Sequence, residues 1–249
     1  MKTYGLIGKN LSYSFSKKYF EDKFESEKIE NSEYRNFSLS EIEEFPNIIS
    51  SVKNLCGLNV TIPYKEKIIK YLDKIDKTAQ EIGAVNTIKI FKNRNKTELH
   101  GFNTDFFGFA KSLEPHLNSD IRNALILGTG GASKAVAFVL KSLSIDYLFI
   151  SRNPKSKNSI SYDNLTKNII ENAKLIVNTT PLGMYPNLNN FPKIPYQYLG
   201  ESHLLFDLIY NPSETLFLKF GKQNKTKILN GLNMLEIQAE KSWKIFHSA

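Results

Sequence analysis

The sequence predicts an α/β fold in two units, and three features carry that expectation. Apolar runs of strand length alternate with amphipathic stretches of helix length along the chain. A Gly-rich turn, Gly128 to Gly131, follows one apolar run and opens an amphipathic stretch, which is the setting of a nucleotide-binding strand–turn–helix. A length of 249 residues with 41% hydrophobic and 23% charged residues suits one large globular domain or two modest ones.

Taken in order, the first unit reads as strand 3–8 ending at Gly8, helix 16–28, strand 33–38, helix 40–50, strand 55–60, helix 65–71 and strand 85–91. Pro63 stops the β-like run from Leu58 to Ile62, because proline cannot donate to a strand ladder. Asn93-Arg94-Asn95-Lys96 is a polar turn into a short strand at 97–101, and a helix begins near Asp105. The second unit reads as strand 124–127, the Gly-rich turn, helix 133–142, strand 147–151, strands 175–178 and 204–207, helix 213–221, strand 226–229 and a last helix, 232–246. Pro181 to Gly200 carries four prolines and reads as loop. Strands alternating with helices favour parallel sheets. The expected division is a first domain, 1–101 with the C-terminal helix 231–249, and a Rossmann-like second domain, 102–230.

Cys56 is the sole cysteine, so no intrachain disulfide forms. No apolar run approaches a membrane span, and the N-terminal run is too short for a signal peptide, so a cytoplasmic protein is expected. The net charge is +8 and the pI about 9.3. The lysines are interspersed with Glu and Asp, as in Ser26-Glu27-Lys28-Ile29-Glu30 and Asp73-Lys74-Ile75-Asp76-Lys77, which read as solvated helix faces. That pattern ranks a small anionic ligand above nucleic acid. His100, His116, His203 and His247 show no metal-ligand spacing, and no metal is assigned. Trp243 and Phe246 read as core packing, with Phe106, Phe107 and Phe109 packing the helix that follows Asp105.

Five motifs carry chemistry. Asn59-Val60-Thr61-Ile62-Pro63-Tyr64-Lys65 puts a lysine on a strand-to-helix corner, where it can donate to a substrate hydroxyl or carbonyl. A lone lysine in so lysine-rich a chain is ordinarily a solvated surface group, but Gly101-Phe102-Asn103-Thr104-Asp105 offers a carboxylate in similar polar, Gly-adjacent surroundings. In the Gly-rich turn Gly128-Thr129-Gly130-Gly131-Ala132, backbone N–H groups at a helix start suit a pyrophosphate, although Ser133 stands where a third Gly is usual. The next strand ends at Ser151-Arg152-Asn153 with no acid for ribose hydroxyls. An arginine there pairs with a 2′-phosphate, which favours NADP over NAD. Asn178-Thr179-Thr180 closes a third strand at the same rim, where small polar residues can line the nicotinamide side.

These segments in this order resemble the shikimate dehydrogenase family, over almost the whole chain. The resemblance implies NADPH-dependent, reversible reduction of 3-dehydroshikimate to shikimate, on the route to chorismate and aromatic amino acids. It implies Lys65 and Asp105 as the catalytic pair, with Lys65 as ammonium supplying the proton. It places Ser14 and Ser16 on the substrate carboxylate, and Asn59, Thr61, Asn86, Tyr210 and Gln238 against substrate. Cofactor contacts follow at Gly128 to Ala132, Ser151, Arg152, Asn153, Thr179, Leu208 and Gly231. The departures are Tyr13 for a usual His, Lys17 for Pro, Asn10 where Pro is common, Thr129 for Ala, Ser151-Arg152-Asn153 for Asn-Arg-Thr and Leu208 for Met. The partner expected is a small molecule, with the chain as monomer or homodimer and neither nucleic acid nor membrane involved. An NAD-using quinate/shikimate dehydrogenase and a non-catalytic NADP- or shikimate-binding sensor are the alternatives, followed by a basic nucleic-acid binder.

Overall fold

The computed structural model describes residues 1–12, 14–93 and 96–248, so Tyr13 lies outside the described residues. The chain forms two compact units, Met1–Thr104 with Ala239–Ala249, and Asp105–Gln238. The divisions fall later than the 101 and 230 boundaries expected from sequence.

The first unit contains β1 (Lys2–Gly8), α1 (Phe15–Ser26), β2 (Ser32–Ser38), α2 (Phe45–Ser51), β3 (Leu55–Val60), β4 (Lys74–Ile75), α3 (Lys77–Ile82), β5 (Thr87–Asn93) and β6 (Lys96–Phe102). Its sheet runs β2-β1-β3-β5-β6-β4. β1 lies parallel to β2 and β3, but β5 is antiparallel to both β3 and β6. The expectation of a parallel sheet therefore fails here. Only two residues separate β5 from β6, and a link that short returns antiparallel. Apolar side chains leave the sheet on both faces. Ile7, Leu58, Val60, Ile68 and Ile88 fill one, while Tyr4, Leu6, Phe20, Phe24, Tyr34 and Phe246 fill the other. Trp243 packs against the second face, as expected.

Two charged segments differ from the helix faces expected of them. Asp73 to Lys77 contains β4, and Asp76 then caps α3 by accepting from the Thr78 and Ala79 N–H groups at 2.9 and 3.4 Å. Ser26 to Glu30 lies at and beyond the end of α1, with Lys28 at a φ of 53°. The helix expected at 65–71 is a 3₁₀ turn, Lys67–Tyr71, and that at 40–50 is a 3₁₀ turn, Ile42–Glu44, leading into α2.

The second unit contains α4 (Asp105–Leu113), β7 (Asn123–Leu127), α5 (Gly131–Ser142), β8 (Asp146–Ile150), β9 (Ser159–Ile160), α6 (Lys167–Asn172), β10 (Leu175–Asn178), β11 (Leu204–Asp207), α7 (Leu216–Gln223), β12 (Lys227–Leu229) and the start of α8 (Leu232–His247). Its sheet runs β12-β11-β10-β7-β8-β9 and every pairing is parallel. Counted in chain order within this unit, the strands read 3-2-1-4-5-6. Near-continuous apolar strands such as Ala124 to Leu127 bury both faces, with Ile126 against Phe109 and Phe206 on one and Leu125 against Ile170 and Phe217 on the other. Among the described residues no helix is long and apolar enough to cross a membrane, and no cluster of His, Cys, Asp and Glu could hold a metal ion.

Candidate functional site

In the second unit the strand order reverses between β7 and β10, and the carboxyl ends of those strands bound the crevice where such sheets bind ligands. The Gly-rich turn sits there. Gly128 has a φ of +107°, and a Cβ on it would meet Thr179 Oγ1 at 2.9 Å. Thr179 closes over the turn, its N–H and hydroxyl both donating to the Leu127 carbonyl at 3.0 and 2.7 Å. Gly130 caps α5, and a Cβ there would find nothing within 4 Å. Thr129 and Gly130 are exposed and Gly131 and Ala132 half-buried, so free N–H groups of the helix start face open space. Ser133, at the third-Gly position, is fully buried and donates to the Gly130 carbonyl at 2.6 Å. A small hydroxyl residue is accommodated there because it finds its partner within the same turn.

At the end of β8 the Ser151 hydroxyl accepts from the Asn153 N–H at 3.2 Å, which shapes the turn around exposed Arg152. No carboxylate lies between Ser151 and Lys155.

The ends of β10 and β11 are tied by a group that sequence reasoning missed. The Asp207 carboxylate, fully buried, accepts from Asn178 Nδ2 at 3.0 Å, the Ile209 N–H at 3.1 Å and the Thr215 hydroxyl at 2.6 Å. Burial pushes its carboxyl up to about 7, against the pull of these three donors. Asn178 in turn accepts from the Thr180 N–H and hydroxyl at 3.1 and 2.7 Å. The Leu208 N–H donates to the Asn178 carbonyl at 3.0 Å, and the Gly231 N–H to the Ile209 carbonyl. Gly231 lies so close that a Cβ would sit 2.1 Å from the Leu208 carbonyl oxygen. Thr179, Leu208 and Gly231 thus share one rim, fixed through Asp207, with half-buried Tyr210 following Ile209. The signal was Asp207 itself, an acid closing an otherwise apolar strand.

In the first unit the parallel strands β1 and β3 end on the same edge. A Cβ on Gly8 would meet Leu11 and Thr61 side chains, each at 2.6 Å, so the loop after β1 packs beside Thr61. That loop leads to Ser14, the N-cap residue of α1, whose hydroxyl caps no backbone N–H of the helix; Ser16 follows in the first turn. The Thr61 N–H donates to the Ile7 carbonyl at 2.8 Å, and the Tyr64 hydroxyl to the Leu39 carbonyl at 2.8 Å. The Val85 N–H donates to the Lys65 carbonyl at 2.8 Å, which brings half-buried Lys65 beside the segment that leads to Asn86.

Asn59 and Asn86 are buried. The Asn59 carbonyl accepts from the Tyr34 hydroxyl at 2.9 Å and its amide donates to Ser242 at 2.9 Å, so it faces an internal polar network. Asn86 accepts from the Thr104 N–H at 2.7 Å, one residue before Asp105. Sequence reasoning passed over Tyr34, Thr87, Thr104 and Ser242 in this network, because single hydroxyls on separate elements carry no spacing signal. In the second unit, Gln238 Nε2 donates to the Leu235 carbonyl at 3.0 Å, and Asp105 opens α4, buried.

The 3-2-1-4-5-6 parallel sheet with a Gly-rich turn at its reversal point makes the second unit a Rossmann-type dinucleotide-binding fold. Comparison with known proteins narrows the class. Residues 6–88 match the family model for the shikimate dehydrogenase substrate binding domain. The NADP+-named shikimate dehydrogenase of Methanococcus vannielii is 39% identical over 263 residues, covering 97% of this chain and 90% of that protein. The crystal structure of shikimate dehydrogenase 1 from Peptoclostridium difficile superimposes with a TM-score of 0.86 at 40% identity, covering 99% of this chain and 91% of that one. Shikimate 5-dehydrogenase from Thermus thermophilus, in complex with NADP(H) and shikimate, has a TM-score of 0.85 at 28% identity, covering 99% and 94%. The chain belongs to the shikimate dehydrogenase family, in agreement with the resemblance of its motifs.

Proposed function

We propose that this chain is an NADP-dependent oxidoreductase that interconverts 3-dehydroshikimate and shikimate. The observation that carries this reading is its nearly full-length similarity to NADP+-named shikimate dehydrogenases. The Gly-rich turn supports it by fitting a dinucleotide: Gly128 holds a positive φ, Gly130 borders open space and free helix N–H groups are available for phosphate. Exposed Arg152, with no carboxylate between Ser151 and Lys155 along the chain, suits a 2′-phosphate.

The nicotinamide supplies the hydride in the reducing direction. Lys65 donates a proton to the substrate oxygen on which negative charge develops, and stabilises that charge as it forms. Asp105 hydrogen-bonds the ammonium and a neighbouring substrate hydroxyl, fixing both. Ser14 and Ser16 donate to the substrate carboxylate, while Thr61, Asn86, Tyr210 and Gln238 orient the ring. Asn59 acts from beneath, through the buried network it shares with Ser242. Thr179, Leu208 and Gly231 line the nicotinamide face, and Gly128 to Ala132 with Ser151 to Asn153 hold the phosphates and ribose. The first domain binds substrate and the second NADP. The enzyme works in the cytoplasm as a monomer or homodimer without nucleic acid.

The test is absorbance at 340 nm with purified protein, shikimate and either NADP+ or NAD+. A rise with NADP+ is expected. A rise with NAD+ alone overturns the role of Arg152, and silence with both in folded protein overturns the activity.

A further inference from the structure

Asn86 is held by a ring of side chains drawn from three separate segments of the first unit. The Thr104 backbone N–H, which can only donate, lies 2.7 Å from one terminal atom of the Asn86 amide, so that atom is the oxygen. The nitrogen therefore donates to the Thr104 hydroxyl at 3.0 Å. The Thr104 hydroxyl lies 3.0 Å from Ser242 Oγ, and Ser242 Oγ lies 2.8 Å from Thr87 Oγ1. Thr87 Oγ1 donates back to the Asn86 oxygen at 3.1 Å.

One set of proton positions closes the ring, with the Thr104 hydroxyl also 3.2 Å from Asn86 Oδ1. Asn86 Nδ2 donates to Thr104, Thr104 to Ser242, Ser242 to Thr87, and Thr87 to Asn86 Oδ1. Each hydroxyl then donates once, and the ring closes in a single direction, an arrangement in which each bond polarises the next. Asn59 meets the ring at Ser242: its Nδ2 donates to Ser242 Oγ at 2.9 Å, while its Oδ1 is engaged by Tyr34. In this arrangement Ser242 accepts from Asn59 and Thr104 and donates to Thr87. Asn86, Thr87, Thr104 and Ser242 are all buried, so water does not take the place of a missing member.

We propose that Ser242 is a positioning residue, whose hydroxyl closes the ring that locks the Asn86 amide with its NH₂ group as the donor to a substrate oxygen. This rests on the proposed contact between Asn86 and shikimate. Without the Ser242 hydroxyl, the Thr104 N–H still marks the amide oxygen, but the Thr104 and Thr87 hydroxyls lose their common partner and hold the amide less firmly.

The experiment is steady-state kinetics with shikimate and NADP+, alongside thermal melting, for wild type, Ser242→Ala, Thr104→Val and Thr104→Ser. Ser242→Ala and Thr104→Val are expected to raise the KM for shikimate roughly tenfold, the scale of one well-made hydrogen bond, while kcat and the KM for NADP+ change less than about twofold. Thr104→Ser keeps the ring hydroxyl and is expected to recover the wild-type KM. An unchanged KM for shikimate in folded Ser242→Ala and Thr104→Val overturns the inference. So does a parallel loss of kcat, both KM values and melting temperature that Thr104→Ser fails to rescue, which marks a purely structural role. A wild type that turns over NADP+ normally with shikimate separates those failures from failure of the functional reading; a silent wild type refutes both.

Discussion

Replacing Asp207 by Asn tests how the rim of the second unit is held. In the folded protein a protonated Asp207 can donate to the Thr215 hydroxyl, 2.6 Å from its Oδ2, while Oδ1 keeps the Asn178 and Ile209 donors. An Asn side chain reproduces that pattern, with its NH₂ in place of the acid proton. Burial raises the carboxyl from 3.8 to about 7. Below 3.8 the group is protonated folded and unfolded alike and adds no pH dependence. Between 3.8 and about 7 the unfolded chain has released a proton that the folded chain retains, so stability falls as pH rises, by about 1.4 kcal/mol per pH unit. Above that window the loss levels off. The variant lacks this titration. Urea denaturation of both proteins, followed by circular dichroism between pH 5 and pH 8, should show wild type losing about 2–3 kcal/mol relative to Asp207→Asn. A difference that stays flat, or that moves in favour of wild type as pH rises, would refute the reasoning: the three donors would then hold the carboxylate ionised in spite of burial.

Other perturbations separate the remaining contacts. Arg152→Ala should raise the KM for NADP+ by roughly 10–100-fold, the scale of a charge-assisted phosphate contact, and leave that for NAD+ nearly unchanged; an equal effect on both cofactors contradicts the 2′-phosphate assignment. Gly231→Ala must displace backbone, because its Cβ would lie 2.1 Å from the Leu208 oxygen. It should cost more than about 2 kcal/mol and lower the melting temperature measurably, and a wild-type melt would show that the rim yields.

Much of the fold was legible because its signals are local. The apolar strands of the second unit and the turn at Gly128 lie where the hydrophobic pattern puts them. Missing elements were short or rested on caps rather than on periodicity. β4 and β9 have two residues each, and α3 and α6 have six, too few for a helical period to emerge. Asp76 and Thr166 mark the starts of those helices by accepting backbone N–H groups, a signal that the charge pattern of Asp73 to Lys77 obscured. The antiparallel turn of β5 against β3 was invisible, since a strand's direction depends on its partner. The same limit governs the site. Lys65 and Arg152 announce themselves by charge and position, whereas Asp207, Thr104 and Ser242 acquire meaning only through side-chain neighbours 8 to 183 residues away.

The most direct test of the central claim is the rate of NADPH formation from shikimate and NADP+ by Lys65→Ala beside wild type. Loss of a positioned proton donor predicts a kcat lower by about 10²–10⁴-fold, with a much smaller change in KM and an unaltered melting temperature. Near-normal turnover by the folded variant would contradict the account, because the proton would then come from elsewhere.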